Sequence, residues 1–596
     1  MVKVQIIGLN KDRERVVKKL HELGVLHVED LTKRVPSELL EKGLEVGKPD
    51  EKAGEISELL VKVKGFLANL PKVYDEGDIE KRIEIKKSDF ENLIPTTSSF
   101  LQQVENEVTP LLKRLEELNE EQKRLEEFET NLKKKMKELL SLARKIERRK
   151  RLRKRKDEKL KELVSHLRQE LQSLLSVIEE KFEERDFDIK KLSKKVKKKL
   201  RSLKNEKKKI LKELESLARK YSKKLHKIRI LLEIEYQRAL IVSKFGVTKR
   251  LFLVEGWIPA KFYETTVDEL KKVAEIEVIK LDIKNKEDVP VMLDNPQPIK
   301  EYETTLKLIG LPKYGDFDPT IFLFFTFPIF YGMMLGDWGY GLIILMAGLY
   351  FWKKNVWGLG RLSKLIILPA IWSIIFGFLF GEFFGNLGME LFHWKPLWED
   401  RIESITHLLV FTSLIGVAHL STGLLIGFIQ CLKHRENKHA MEKLGVLGIL
   451  IGGTIYVLIM MGQLPQSLQF VGLGLLGVGI VVTIVATKGL GFLEIFGIGG
   501  NVLSYTRLLA IGVASAGTAL ATNEMAKTFS SMLGTPGILV AIVVGVGFHF
   551  INLLLGILSP TIHGLRLHYV EFFGKFFEGG GKEYRPFKME IKKYKS

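Results

Sequence analysis

The sequence predicts a mainly α-helical protein: a cytoplasmic α/β lobe with a long antiparallel coiled-coil arm, then a polytopic helical membrane domain. Three observations predict it. The composition of the 596-residue chain changes near residue 318, from Lys, Arg and Glu to Leu, Ile, Val, Phe and Gly. Two stretches of the first half keep heptads, and the second half carries a series of apolar runs near the ~20 residues that cross a bilayer.

In chain order, Val2–Ile7, about 11–23 and Val25–Glu29 read as strand, helix, strand. Arg250–Glu255, about 260–274 and Glu275–Leu281 read as a second such unit, so one small lobe is expected from about 1–95 and 236–290. Between them, about 97–235, two 4-3 series run through Leu111, Leu118, Leu125 and Leu132, and through Val196, Leu203, Ile210 and Leu217. Each series is apolar at nine of eleven positions, which specifies a coiled-coil seam. Two such arms about a polar middle are read as antiparallel partners. Phe187-Asp188-Ile189 is the one hint of a strand in the middle, about 147–195, so any distal lobe there is small or mainly helical.

The run Lys145–Lys156 holds nine basic residues and one acid, Glu147. It lacks interleaved aromatics and sits on a continuing helix, so it reads as a solvated face or a site for an acidic protein partner, not nucleic acid. The net charge of +21 fits an anionic membrane surface better than nucleic acid, given the apolar half. The one cysteine, Cys431, excludes an internal disulfide framework and CxxC zinc spacing. The first residues lack the apolar run of a signal peptide, so the arm, 1–317, is expected in the cytoplasm.

Eight spans are expected, at about 318–335, 338–352, 365–386, 406–432, 443–462, 466–487, 491–526 and 537–573. Loops expected inside carry Lys353, Lys354, Arg361, Lys433, Arg435 and Lys488, while the 387–405 loop is acidic. That bias puts both termini in the cytoplasm, with a basic tail at 576–596 and the membrane domain at 318–575. The last two spans approach 36 residues each, about 54 Å of helix, so they tilt or project. Gly497, Gly499 and Gly500 are read as close-packing positions.

Arg507 is read in the middle of an apolar helix with no counter-ion in this chain. An arginine at mid-bilayer costs roughly 2.5–3.5 kcal/mol even on insertion scales, so it marks function. His549, Asn552, Ser559, His563 and Arg566 form one stripe of the last span; Asn501, Ser504, Arg507, Ser515, Thr518 and Thr522 lie near one face of the span before. Helix gluing explains the small polar residues, but not two arginines. These are assigned to an ion pathway. No P-loop, dinucleotide fingerprint, kinase signature or zincin motif occurs, so no nucleotide, cofactor or metal site is expected, and the chain itself is not expected to be catalytic.

Five stretches resemble one family: Phe327 to Gly341 (FPIFYGMMLGDWGYG), Gly377 to Gly385 (GFLFGEFFG), Asn501 to Leu508 (NVLSYTRL), His563 to Phe572 (HGLRLHYVEF), and Glu255-Gly-Trp-Ile-Pro259. The chain resembles the membrane subunit a, or subunit I, of A/V-type ATP synthases and vacuolar ATPases. The resemblance implies that Arg507 is the essential arginine facing a rotating ring of c (proteolipid) subunits, and Arg566 the second arginine. It implies two ion half-channels, for which Glu494, Glu571, His563, His549, Asn552 and Ser504 are the candidates; Glu382 and Asp337 lie near helix ends and are equally well structural. It also implies peripheral-stalk subunits on the cytoplasmic arm, a possible central-stalk adaptor, the lipid bilayer around the spans, and a plasma-membrane location. The chain departs from the vacuolar relatives at Ser515, where they carry a histidine. A secondary transporter with a regulatory coil predicts inverted repeats, and none is visible. A membrane-anchored scaffold leaves the arginines unexplained.

Overall fold

The computed structural model describes residues 1–31, 45–73, 79, 83–149, 189–283, 285–355, 358–488, 491–589 and 594–595. Most of the basic run and of the arm's middle lie outside these residues, as do Phe187 and Asp188; Ile189 opens a helix. The chain divides into two units, residues 2–281 with 586–596, and residue 1 with 282–585.

In the first unit, strands β1 (Val2–Leu9), β2 (His27–Val28), β3 (Glu45–Val46), β4 (Gly246–Val247), β5 (Leu251–Ile258) and β6 (Ile276–Leu281) form one sheet. β1 lies between β5 and β6, antiparallel to both, with Val2 opposite Ile258 and Lys3 opposite Leu281. β2 pairs with the far edge of β5. The order β2–β5–β1–β6 is that of two interleaved split β-α-β units, a ferredoxin-like arrangement. Alternation in β1 sends Val4 and Ile6 inward, where Val16, Val17 and Leu20 of α1 (Arg13–Leu23) and Leu270 cover them. Residues 586–589 return to this lobe: Phe587 N–H donates to the Leu26 carbonyl and Met589 N–H to that of His21. The Phe587 ring stacks on His21 at 4.1 Å.

Helix α2 (Lys52–Asn69) packs at the base of α3 (Leu93–Arg149) and α4 (Ile189–Ile241), the two arms of the coiled coil. At 57 residues, α3 spans about 85 Å. The heptad residues Leu118, Leu125, Leu200, Leu203, Ile210 and Leu214 are buried between the arms. Cross-arm pairs run in opposite senses, Glu107 to Lys220, Arg114 to Glu206 and Glu121 to Lys199, so the arms are antiparallel as their sequences require. Helix α5 (Tyr263–Lys271) completes the unit.

The second unit is helical: α6 (Thr320–Leu335), α7 (Trp338–Lys354), α8 (Gly360–Phe380), α9 (Leu387–Phe392), α10 (Ile405–Lys433), α11 (Asn437–Met460), α12 (Gln469–Thr487), α13 (Gly491–Ser504) and α14 (Arg507–Arg566). All eight expected apolar stretches are helical. Six segments among the described residues are long and apolar enough to cross a membrane; α6 and α7 are shorter, at 16 and 17 residues. The last two such segments are long, Phe496–Met532 and Gly534–Lys575. They meet at Gly534, whose φ of 60° and ψ of −137° a side chain would strain, and Pro536 follows. Among the described residues, a Cβ placed at Gly497, Gly499 or Gly500 meets nothing within 4 Å, so these glycines do not pack against the helices described, contrary to expectation. They face outward on α13. Close glycine contacts lie elsewhere in the bundle, as between α11 and α12, where a Cβ on Gly479 would lie 2.7 Å from the Gly445 carbonyl oxygen.

Candidate functional site

The helix carrying Arg507 breaks immediately before it. α13 ends at Ser504 and α14 begins at Arg507. The Leu503 carbonyl accepts from both N–H and Oγ1 of Thr506, and the Gly500 carbonyl accepts from Ser504 Oγ. Such back-bonding by Ser and Thr competes with the helical ladder and bends it. Arg507 therefore opens a helix; it is not mid-helix. Nor is it unpaired: Arg507 Nη1 donates to Glu571 Oε1 at 3.0 Å. The pair was invisible in sequence because its members lie 64 residues apart. The Glu571 side chain is only 3% exposed, while that of Arg507 is 27% exposed. Glu571 Oε2 is buried without a hydrogen bond.

A π-helix over Leu567–Phe572 positions Glu571. Its wider turn resets the phase of the last helix, so Leu567, His568, Glu571 and Phe572 turn inward while Arg566 stays exposed. Among the described residues, no ion pair holds Arg566.

Around this pair lies a buried cluster that periodicity did not single out. His419 of α10 shares a 2.7 Å hydrogen bond with the Tyr505 hydroxyl and stacks on Phe572 at 3.9 Å. His568 bonds Thr326 Oγ1 through Nε2 at 2.6 Å and the Gly564 carbonyl through Nδ1 at 2.7 Å. The available signal was a histidine in each apolar stretch, accompanied by His407 in one and by His549 and His563 in the other, and such a histidine is more commonly core than pathway.

A second network gathers residues of the two polar stripes. Asn552 Nδ2 donates to the Tyr340 hydroxyl and the Ser515 carbonyl, both at 3.1 Å, and Ser515 Oγ donates to Asn552 Oδ1 at 3.4 Å. Tyr340 OH bonds His549 Nδ1 at 2.6 Å, and His549 Nε2 bonds Asn523 Oδ1 at 2.9 Å. Asn523 Nδ2 then reaches Asn386 Oδ1 at 2.6 Å, beside α9 and the 387–405 loop. Tyr340, Asn523 and Asn386 were not predicted.

The other candidates stand apart. Ser504 spends its hydroxyl on the Gly500 carbonyl. His563 is half-buried with an unpartnered Nδ1. Glu494 lies on α13, and its side chain is outside the described residues. Asp337 and Glu382 are architectural: Asp337 caps α7 by accepting from the N–H groups of Gly339 and Tyr340. Glu382 forms a bidentate pair with Arg401 at 2.8 and 2.7 Å. Arg401 also donates to the carbonyls of Met334, Leu335 and Gly336, where α6 ends.

Two groups of polar side chains thus lie within an apolar helical bundle, one beside the Arg507–Glu571 pair and one linked from Ser515 to Asn386. The family described as V-type ATPase 116kDa subunit matches residues 155–407 and 495–589. The chain belongs to that family. It is similar to the A-type ATP synthase subunit I of Methanocaldococcus jannaschii, at 29% identity over 99% of this chain and 98% of that one. The corresponding subunit of Archaeoglobus fulgidus is 30% identical over 98% of both chains. That of Pyrococcus abyssi is 34% identical over 60% of this chain and 57% of its own. The chain is thus a multi-pass membrane subunit of an archaeal-type ATP synthase complex, with the mainly helical fold its sequence predicted.

Proposed function

We propose that this subunit is the ion-translocating stator of the rotary complex, with Arg507 facing the ring of c subunits. The observation that carries the reading is the uneven burial of the pair: Glu571, 3% exposed, holds Arg507 at 3.0 Å, while the arginine side chain stays 27% exposed and so accessible to a partner outside the chain. A fixed cation there favours the ionised form of a passing ring carboxylate and blocks direct leakage between two half-channels. Arginine suits the task because it stays charged. The outward glycines 497, 499 and 500 leave a smooth flank on α13 beside it. Exposed Arg566 supplies a second cation on the last helix.

The chain Ser515–Asn552–Tyr340–His549–Asn523–Asn386 supports one half-channel, opening at the acidic 387–405 loop on the outer side. Glu571, with Glu494 and His563, belongs to the opposite path or its junction with Arg507. Both termini are cytoplasmic in this reading. The antiparallel coil of the 1–317 arm, stiff over about 85 Å, suits a strut that holds peripheral stalks against torque.

The test is Arg507→Ala in the reconstituted complex, with ion-driven ATP synthesis and passive ion leak measured in vesicles. Coupled synthesis is lost and leak rises. Normal coupled synthesis would overturn the assignment.

A further inference from the structure

The 387–405 loop is folded back against the two helices it joins. Between ring centroids, Trp394 lies 5.1 Å from Phe378 and Trp398 lies 4.8 Å from Phe411. Trp398 N–H donates to the Leu379 carbonyl at 2.9 Å, and a Cβ on Gly381 would lie 2.8 Å from the Pro396 nitrogen. Buried Arg401 ties the rest of the loop to Glu382 and to the end of α6. Phe378 and Leu379 belong to the last turn of α8, and Phe411 to the second turn of α10. Trp394 and Trp398 are therefore held at the level where two membrane-crossing segments end.

Polar and apolar side chains of this loop are treated differently. Glu390 pairs with Lys527, Glu399 lies 3.6 Å from His407, and Asp400 accepts from the N–H groups of Ile402 and Glu403. Met389, Leu391, Phe392 and Leu397 stay exposed instead, Leu391 at 64% and Leu397 at 70%. So many large apolar groups exposed within a short stretch mark a contact surface. The exposed apolar surface runs on through Ile402, Ile405, Leu409 and Leu414 into α10, a segment apolar enough to cross a membrane. That continuity identifies the occupant. We propose that residues 389–398 form an anchor lying in the membrane surface, with Leu391, Phe392 and Leu397 inserted roughly 5–10 Å into the headgroup and acyl boundary. Trp394 and Trp398 then sit at headgroup level, where their amphipathic rings are favoured. The partner is lipid, and the loop is not a solvated connection. The anchor also fixes the depth of Asn386, one residue before α9, where the network through Asn523 ends. None of this depends on the stator reading.

The test uses the full complex in phospholipid vesicles, with the Cys431→Ser change removing the one cysteine of this chain. A nitroxide is attached singly at Leu391→Cys, Phe392→Cys and Leu397→Cys, and the signal of the Cys431→Ser complex is subtracted. Glu403→Cys is the polar reference in the same loop, and Leu414→Cys the reference within α10. Power saturation reads collisions with oxygen, which partitions into the bilayer, and with a water-soluble nickel chelate. The oxygen-to-nickel ratio at the three sites is expected to stand several-fold above that at Glu403→Cys and to approach that at Leu414→Cys. A ratio equal to that at Glu403→Cys would put the loop in water and overturn the proposal. Few collisions with either probe would show that a protein covers the patch, and would overturn it as well. The three sites are read separately and each replaces an exposed side chain, so a variant that fails to assemble leaves the others decisive.

Discussion

Arg507 Nη1 stands 3.0 Å from Glu571 Oε1, while Glu571 Oε2 is buried with no partner. The pair is asymmetric, because the Glu571 side chain is 3% exposed and that of Arg507 27%. Breaking a buried pair from one side costs about 3–5 kcal/mol, and the partial exposure of Arg507 moderates that. The expected outcome is that Glu571→Gln lowers coupled synthesis about tenfold, the equivalent of 1.4 kcal/mol, while Arg507→Met abolishes it. The double variant Arg507→Met with Glu571→Met regains thermal stability without regaining synthesis. Thermal unfolding of the purified complex, set beside synthesis rates, checks this; parent coupling in Glu571→Gln would count against the pair.

The network through Asn523 gives a separate expectation. Asn523 joins His549 to Asn386 and also donates to the Phe384 carbonyl at 2.9 Å. Asn523→Leu removes three hydrogen bonds, each worth about 1 kcal/mol net, and interrupts the chain that reaches the loop. ATP-driven ion uptake is expected to fall about tenfold, while Tyr340→Phe, which removes only the hydroxyl between Asn552 and His549, falls by less. Equal uptake in all three proteins would exclude this route.

What the sequence made legible follows from its periods and costs. Leu118, Leu125, Leu200 and Leu203 announced the coil because a 3.5-residue repeat has one use. Arg507 and Arg566 stood out because charge in an apolar helix is expensive. Partners across the bundle leave no such trace. Tyr340 meets His549 from 209 residues away, and no local pattern encodes that. Glu571 was a candidate but not a counter-ion, because α-helical phasing places no residue as the π-turn places it. The break at Tyr505–Thr506 carries no sequence signal of its own because it rests on hydroxyl back-bonding, not on Gly or Pro.

Arg401 ties three elements together through Glu382, the end of α6 and the backbone of α14. A Cβ on Gly512 would lie 2.2 Å from Arg401 Nη1. Gly512→Ala therefore forces the guanidinium or α14 to move, an overpacking cost of about 1–3 kcal/mol. Arg401→Met strands the Glu382 carboxylate and costs more, about 3–5 kcal/mol. Arg401→Met combined with Glu382→Met is expected to recover most of that loss. A melting temperature of Arg401→Met equal to that of the parent would refute the arrangement.

The α/β lobe carries its own pH dependence through His21. Burial, and then the Arg238 cation whose Nε donates to His21 Nδ1 at 3.2 Å, lower the imidazole from its usual 6.5 to about 4. The unfolded chain therefore binds a proton below pH 6.5 that the folded lobe refuses until about pH 4. Between those values the unfolded state holds more protons, so stability falls as pH falls, by at most about 1.4 kcal/mol per pH unit. Above pH 6.5 this group contributes no slope. Backbone hydrogen exchange of α1 in the intact chain, corrected for intrinsic rates, is expected to lose protection from pH 7 to pH 5. The stacked Phe587 segment should loosen with it, because it bonds the His21 carbonyl and covers the ring. His21→Gln, which cannot take the proton, should flatten the dependence; a parent protein with equal protection at both pH values would show that His21 is not its source.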